Sequence, residues 1–368
     1  MLTNYHLQRT LRSSHAAVFC LAVTEKGNFL TSGGIGGTCL WDLRKGRLLN
    51  RPSAAGSWGD TTAMIWIRRE DDSDEVLVYG TLNGYVACWK QAKNTTDFKE
   101  LYVLRMVGSC EITAFHFDLA SSRLAMTTRQ GVVQLHGVFS VTVNNFDPKA
   151  VHFHVNGDSR DVVVFGCRNG KIYFLRGADG KIMESIDTGG MIGNAAMDCE
   201  KDVFCLDDPA QGVTLYRLSD GMRVKTFPIE ATKAPRPRQV AFAENCRAIV
   251  SGSDHGIMYV FERRDSNVHQ LDTGTEDHIQ TVTAANIDGI STVIAARSRD
   301  IGKSSRIFIW ANSGQPAAEE AAMESWLTLK YIQTLCIVLL AMSFLYQHFT
   351  AVCWVLSNTW ASAHMMIE

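Results

Sequence analysis

No two cysteines have CxxC spacing and no histidines cluster at zinc-ligand spacing, so the chain encodes no recognisable zinc site. Proline is scarce: 7 prolines stand against 29 glycines, with 46% hydrophobic and 20% charged residues. That balance excludes a disordered or collagen-like chain and leaves apolar surface for a large core over 368 residues. Neither sign of charge is in excess. Lys and Arg number 36 against 38 Asp and Glu, a formal net charge of −2, which excludes a general nucleic-acid binder. Arg9 and Arg12 precede only eight apolar residues, 16–23, and no small-residue cleavage site follows at 24–27, so no signal peptide is expected.

Catalytic motifs are missing as well. The glycine-rich stretch 32–37 is followed by neither a helix pattern nor GK[ST], and reads as a hairpin turn rather than a phosphate loop. His152 and His154 lie two apart on one strand face, as two metal ligands would, but no third ligand accompanies them, so core or channel-wall histidines are expected. The 10 cysteines lie mostly in apolar runs, as Cys39 and Cys88 do, and read as small buried thiols of a reducing compartment. The expectation is a non-enzymatic protein with no cofactor and no metal.

What the chain does have is a repeat. Six units share a short apolar strand, a turn containing glycine, and an alternating strand that often ends in an aromatic residue. They are 29–42 (FLTSGGIGGTCLWD), 76–89 (VLVYGTLNGYVACW), 124–135 (LAMTTRQGVVQL), 163–174 (VVFGCRNGKIYF), 203–216 (VFCLDDPAQGVTLY) and 249–261 (IVSGSDHGIMYVF). The turn glycines are Gly37, Gly84, Gly131, Gly170, Gly212 and Gly256, spaced by 47, 47, 39, 42 and 44 residues. A seventh unit ends at 306–310 (RIFIW) after a longer, charged turn. Asn83 before Gly84 and Asn169 before Gly170 form hairpin dipeptides. An apolar strand precedes each hairpin, as at 17–23 and 62–67, and is expected to line a central channel. A fourth strand follows the aromatic, as at 101–104 and 223–227. The spacing suits four-stranded propeller blades of roughly 40–45 residues. An open sandwich or two small β domains would compete with this architecture, but seven units of similar spacing argue against them.

The chain resembles WD40-repeat proteins over residues 5–314. Trp41 and Asp42 form the family's dipeptide after Ser32, Gly33 and Gly34. Asp254 before His255 and Gly256 is similar to the family's Asp-bearing turn, and Trp89, Phe261 and Trp310 stand where the dipeptide's Trp would. The resemblance implies an all-β fold at residues 1–314: a seven-bladed β-propeller of four-stranded antiparallel blades, with other proteins or peptides bound on its loop faces. The Gly-His dipeptide that usually opens a repeat is missing, and one unit alone keeps both Trp and Asp. The family's Asp–His–Ser–Trp hydrogen-bond network is therefore not expected in most blades. The alternating stretch 4–11 (NYHLQRTL) is expected to become the outer strand of the last blade, beside the strand ending near Trp310; a frayed tail is the alternative.

After Trp310 the character changes. Residues 315–330 read as a linker and juxtamembrane helix, and 331–367 contain no Asp, Glu, Lys or Arg. From Leu335 to Leu356 the chain is mostly apolar (LCIVLLAMSFLYQHFTAVCWVL). A helix of about 20 residues crosses a hydrocarbon core. One C-terminal α-helix at 331–358 is therefore expected to span a membrane, flanked by Lys330, Tyr331 and Trp360, with 359–368 as a short tail. Lys330 would leave the propeller in the cytosol, on the endoplasmic reticulum or another organelle. Gln347 and His348 sit near the middle and oppose a span, so a docked or surface helix is the alternative.

Two functions fit this layout. The first is a scaffold for other proteins, tethered to a membrane, with Arg168 and Asp254 among its loop residues. The second is a membrane-held exchange factor for a small GTPase of vesicle traffic, which rests on layout alone. The basic spots at 233–238 and 261–265 read as solvated loops, and the acidic stretch 69–75 as an exposed hairpin loop.

Overall fold

Side chains that alternate in period two, joined by turns that glycine can close, make each repeat an antiparallel meander. In the first blade, Val18–Val23, Phe29–Gly34, Gly37–Asp42 and Arg47–Leu48 are hydrogen-bonded in chain order. The computed structural model describes residues 5–13, 16–52, 56–69, 72–93, 95–157, 159–230, 235–265, 267–297, 305–312, 333, 342–343, 346, 348–349 and 353–356. Seven four-stranded sheets of this kind form a seven-bladed β-propeller. The innermost strands of blades one to seven are Val18–Val23, Thr61–Arg69, Ile112–Asp118, Pro148–Asn156, Ala195–Asp198, Val240–Ala243 and Ile279–Ile287.

Blades stack face to face, so a middle strand is covered on both sides. The run Val162, Val163, Val164 and Phe165 in blade four is 0% exposed at every position. That is why second strands read as continuous apolar runs rather than alternating ones. Outer strands carry the polar load, and in Ile182–Asp187 nearly every residue faces solvent. Seven apolar clusters fill the seams between neighbouring blades. Trp41 fills the seam of blades seven and one, Trp89 that of one and two, Phe261 that of five and six, and Trp310 that of six and seven.

The ring is closed by sequence-distant strands. Tyr5–Arg12 pairs antiparallel with Arg306–Asn312, the third strand of blade seven, with Leu7 opposite Trp310. The blade then has three strands from the end of the propeller and one from its beginning. Leu11 is 5% exposed and packs with Ile294, Ile307 and Ile309, so this segment is a strand with its own buried anchor rather than a frayed tail.

The chain divides into two compact units, Met1–Ser313 and Gly314–Glu368. In the second unit the described residues are helical. Among the described residues no helix is long and apolar enough to cross a membrane. This corrects the expected single-pass span at 331–358 and, with it, the placement of a membrane-held propeller in the cytosol. An apolar composition gives the driving force for burial, but crossing also needs about 20 residues in one continuous helix. Polar Ser343 and His348 are among the described helical residues. Leu356 is helical and 61% exposed. Lys330, Tyr331, Leu335 and Trp360, named as anchor residues, lie outside the described residues.

Candidate functional site: the loop face and the channel mouth

Within an antiparallel blade, the turn between second and third strands and the connection to the next blade emerge on the same face. This loop face holds all six turn glycines. Their φ values are positive, from +61° at Gly170 to +121° at Gly212. At Gly256 (φ +81°) an added Cβ would also overlap the Thr275 carbonyl, which belongs to the connection entering blade seven. Glycine there permits both the left-handed turn and the close approach of the incoming chain.

The inner strands enclose a channel of about 420 Å³. Five of them carry a register slip at the same end, between Val18 and Cys20, Thr61 and Ala63, Ile112 and Ala114, Pro148 and Ala150, and Ile279 and Thr281. A bulge leaves one residue unpaired and re-aims its side chain. In blades two to four the extra residues are Thr62, Thr113 and Lys149, and all three line the channel. Asn194 and Gln239 sit just before the inner strands of blades five and six, completing a polar collar near the loop face. Lys149 is the one Lys, Arg, Asp or Glu among the channel-lining residues.

Deeper in the wall, the rings of His116 and His152 lie 4.7 Å apart. Burial pushes His116 down to about 3, with His152 adding to the shift, and burial alone pushes His152 down to about 4. Both are therefore neutral at physiological pH. His154, the other half of the sequence pair, packs edge-on against Phe174 instead. Among the described residues no three His, Cys, Asp or Glu side chains gather to hold a metal ion.

Ion pairs flank the channel mouth on the loop face. Arg129 meets Glu111 at 2.7 Å, Arg168 meets Asp147 at 3.7 Å, and Arg297 meets Asp277 at 2.5 Å. The fourth is fully enclosed: Arg238 Nε donates to Asp207 Oδ1 at 2.9 Å and its backbone N–H to Oδ2 at 2.8 Å, with the side chains 3% and 0% exposed. Burial pushes the Asp207 carboxyl up to about 6 while Arg238 pulls it down. Arg238 belongs to a stretch expected to be a solvated loop, and nothing in local composition marks its partner, 31 positions earlier. Arg168 is largely exposed, whereas Asp254 is 6% exposed and lies 2.8 Å from His255 Nδ1. His255 Nε2 in turn lies 2.9 Å from the Tyr259 hydroxyl.

The aromatic signature residues do not meet at this site. Trp41, Trp89, Phe261 and Trp310 share one structural position, the third strand opposite an aliphatic side chain of the second: Leu30, Leu77, Ile249 and Val293. Each is at most 3% exposed. Asp42 accepts a hydrogen bond from the Lys45 backbone at 3.0 Å and so closes the turn on the opposite face. The 261–265 stretch also lies on that opposite face. Burial pushes the Cys88 thiol up to about 11 and the Cys246 thiol up to about 12, as suits unreactive core cysteines.

No family model matches the chain, and no curated protein matches it in sequence. Its fold is similar to the crystal structure of the WD40 β-propeller domain of Doa1, with a TM-score of 0.66 and 15% identity, covering 86% of this chain and 99% of that one. The chain thus has a seven-bladed β-propeller fold similar to that of this WD40 domain.

Proposed function

We propose that this protein is a non-enzymatic interaction platform whose partners dock on the loop face of the propeller. The observation that carries the reading is the set of exposed apolar side chains in the loops of that face: Ile35 at 39%, Leu82 at 45% and Val107 at 98%. They project from turns held by buried strands, so an interface there needs little ordering of the scaffold. A rigid face of this kind binds segments of other proteins without chemistry. The alternative of a membrane-held exchange factor for a small GTPase loses its premise with the spanning helix.

The test is quantitative capture by the full chain, comparing Leu82→Asp/Val107→Asp and Arg168→Glu with Arg264→Glu on the opposite face. Partners should be lost from the loop-face variants and retained by Arg264→Glu. Equal capture by all variants would sink the reading.

A further inference from the structure

Three cations gather over blades three and four. Arg129 and Arg168 stand in loop-face turns of adjacent blades, with Lys149 in the inner-strand bulge of the second of them. Burial pushes the Cys167 thiol up and Asp147 adds to this, while Lys149, Arg168 and Arg129 lower it. The turns of Arg129 and Arg168 end in Gly131 and Gly170. The local acids lie beneath them. Glu111 and Asp147 are each 15% exposed, while their partners Arg129 and Arg168 are 51% and 75% exposed. A chain approaching the mouth therefore meets guanidinium and ammonium groups, although the cluster of five carries a net charge of only +1 by count of three cations and two acids.

Building on the loop face as the docking face, we propose that it recognises an acidic segment of a partner protein. One or more Asp or Glu side chains of an extended peptide would seat on Arg129, Lys149 and Arg168, with apolar neighbours on Leu82 and Val107. Charge complementarity selects this occupant. A carboxylate takes paired N–H donors from an exposed guanidinium, whereas a basic segment is repelled. A neutral segment covering the mouth would leave Lys149 desolvated without a counter-charge. Apolar residues supply the rest of the contact, because an exposed ion pair alone contributes little.

The experiment is selection of a random dodecapeptide library on phage against the full chain. It is repeated on Lys149→Glu/Arg168→Glu, on Leu82→Asp/Val107→Asp and on Arg264→Glu, each confirmed folded by its thermal melt. Enriched peptides should pair apolar with acidic residues. Replacing Glu by Gln in fluorescent synthetic copies should weaken binding roughly tenfold or more at low salt, with a smaller difference at high salt. Binding should vanish on Lys149→Glu/Arg168→Glu and persist on Arg264→Glu. Enriched peptides without acids, or acidic ones that Lys149→Glu/Arg168→Glu still binds, overturn the acidic preference. If such peptides are nonetheless lost from Leu82→Asp/Val107→Asp, docking on the loop face stands and only this inference falls. A library that enriches nothing, or peptides that no loop-face variant loses, removes both.

Discussion

The Tyr5 hydroxyl donates a 2.8 Å hydrogen bond to Glu244 Oε1, across 239 positions of the chain. The same oxygen accepts from Asn312 Nδ2 at 2.8 Å. One carboxylate in the inner hairpin of blade six thus holds both strands that close blade seven. Glu244 and its followers Asn245 and Cys246 all have left-handed φ, +54°, +51° and +65°. Three consecutive non-glycine residues in that region are costly, and the tertiary contacts of this turn offset the cost.

Removing this latch should loosen ring closure. Glu244→Ala removes the acceptor of two hydrogen bonds and should cost about 2–3 kcal/mol, with Tyr5→Phe costing about 1–2 kcal/mol. The double variant should cost less than the sum of the two, by about 1 kcal/mol, because the residues share one interaction. Urea unfolding of all four proteins measures this, and strict additivity would contradict a direct contact.

The enclosed pair should punish the loss of one partner more than the loss of both. Asp207→Ala strands the Arg238 charge in a site 3% exposed, for a cost of about 3–5 kcal/mol. Asp207→Leu/Arg238→Met should recover much of that loss. Thermal melts of the single and double variants give the comparison.

Stability should fall in acid through the channel histidines. His116 and His152 have folded values pushed below the unfolded value of about 6.5, so the unfolded chain binds more protons between the two values. Their contribution is intact above pH ~6.5 and is lost as pH falls toward about 3–4. For His152 the loss at pH 5 is about 2 kcal/mol. His152→Gln should flatten the stability profile between pH 6.5 and 4; a profile parallel to that of the unsubstituted chain would show that this residue does not titrate on unfolding.

Two glycines with similar φ should respond differently to alanine. Gly137 (φ +74°) has no atom within 4 Å of an added Cβ, so only backbone strain applies, about 1 kcal/mol. Gly256→Ala adds a clash with the Thr275 carbonyl and should cost well over 2 kcal/mol. Chemical denaturation of both variants, read side by side, separates strain from close approach.

The seven blades, the turn glycines and the closing role of the first strand were legible from the chain alone. Each is carried by a local pattern: period-two alternation, Asn-Gly turns, and a recurring distance. Trp41, Trp89, Phe261 and Trp310 recur at one place in the repeat, but that they fill seams between blades is decided by how the sheets stack. Arg238 was misread because its partner Asp207 belongs to the preceding blade, and an ion pair across a seam leaves no trace in either neighbourhood. The placing of Arg129, Lys149 and Arg168 on one face of adjacent blades, and the grip of Glu244 on Tyr5 and Asn312, likewise depend on ring geometry that brings distant turns together. The apolar run from Leu335 to Leu356 pointed to a span, yet among the described residues no helix is long and apolar enough to cross a bilayer. Repetition specifies the blades through short-range rules, while the loop face proposed for docking is composed of residues from several blades and exists only once the ring is closed.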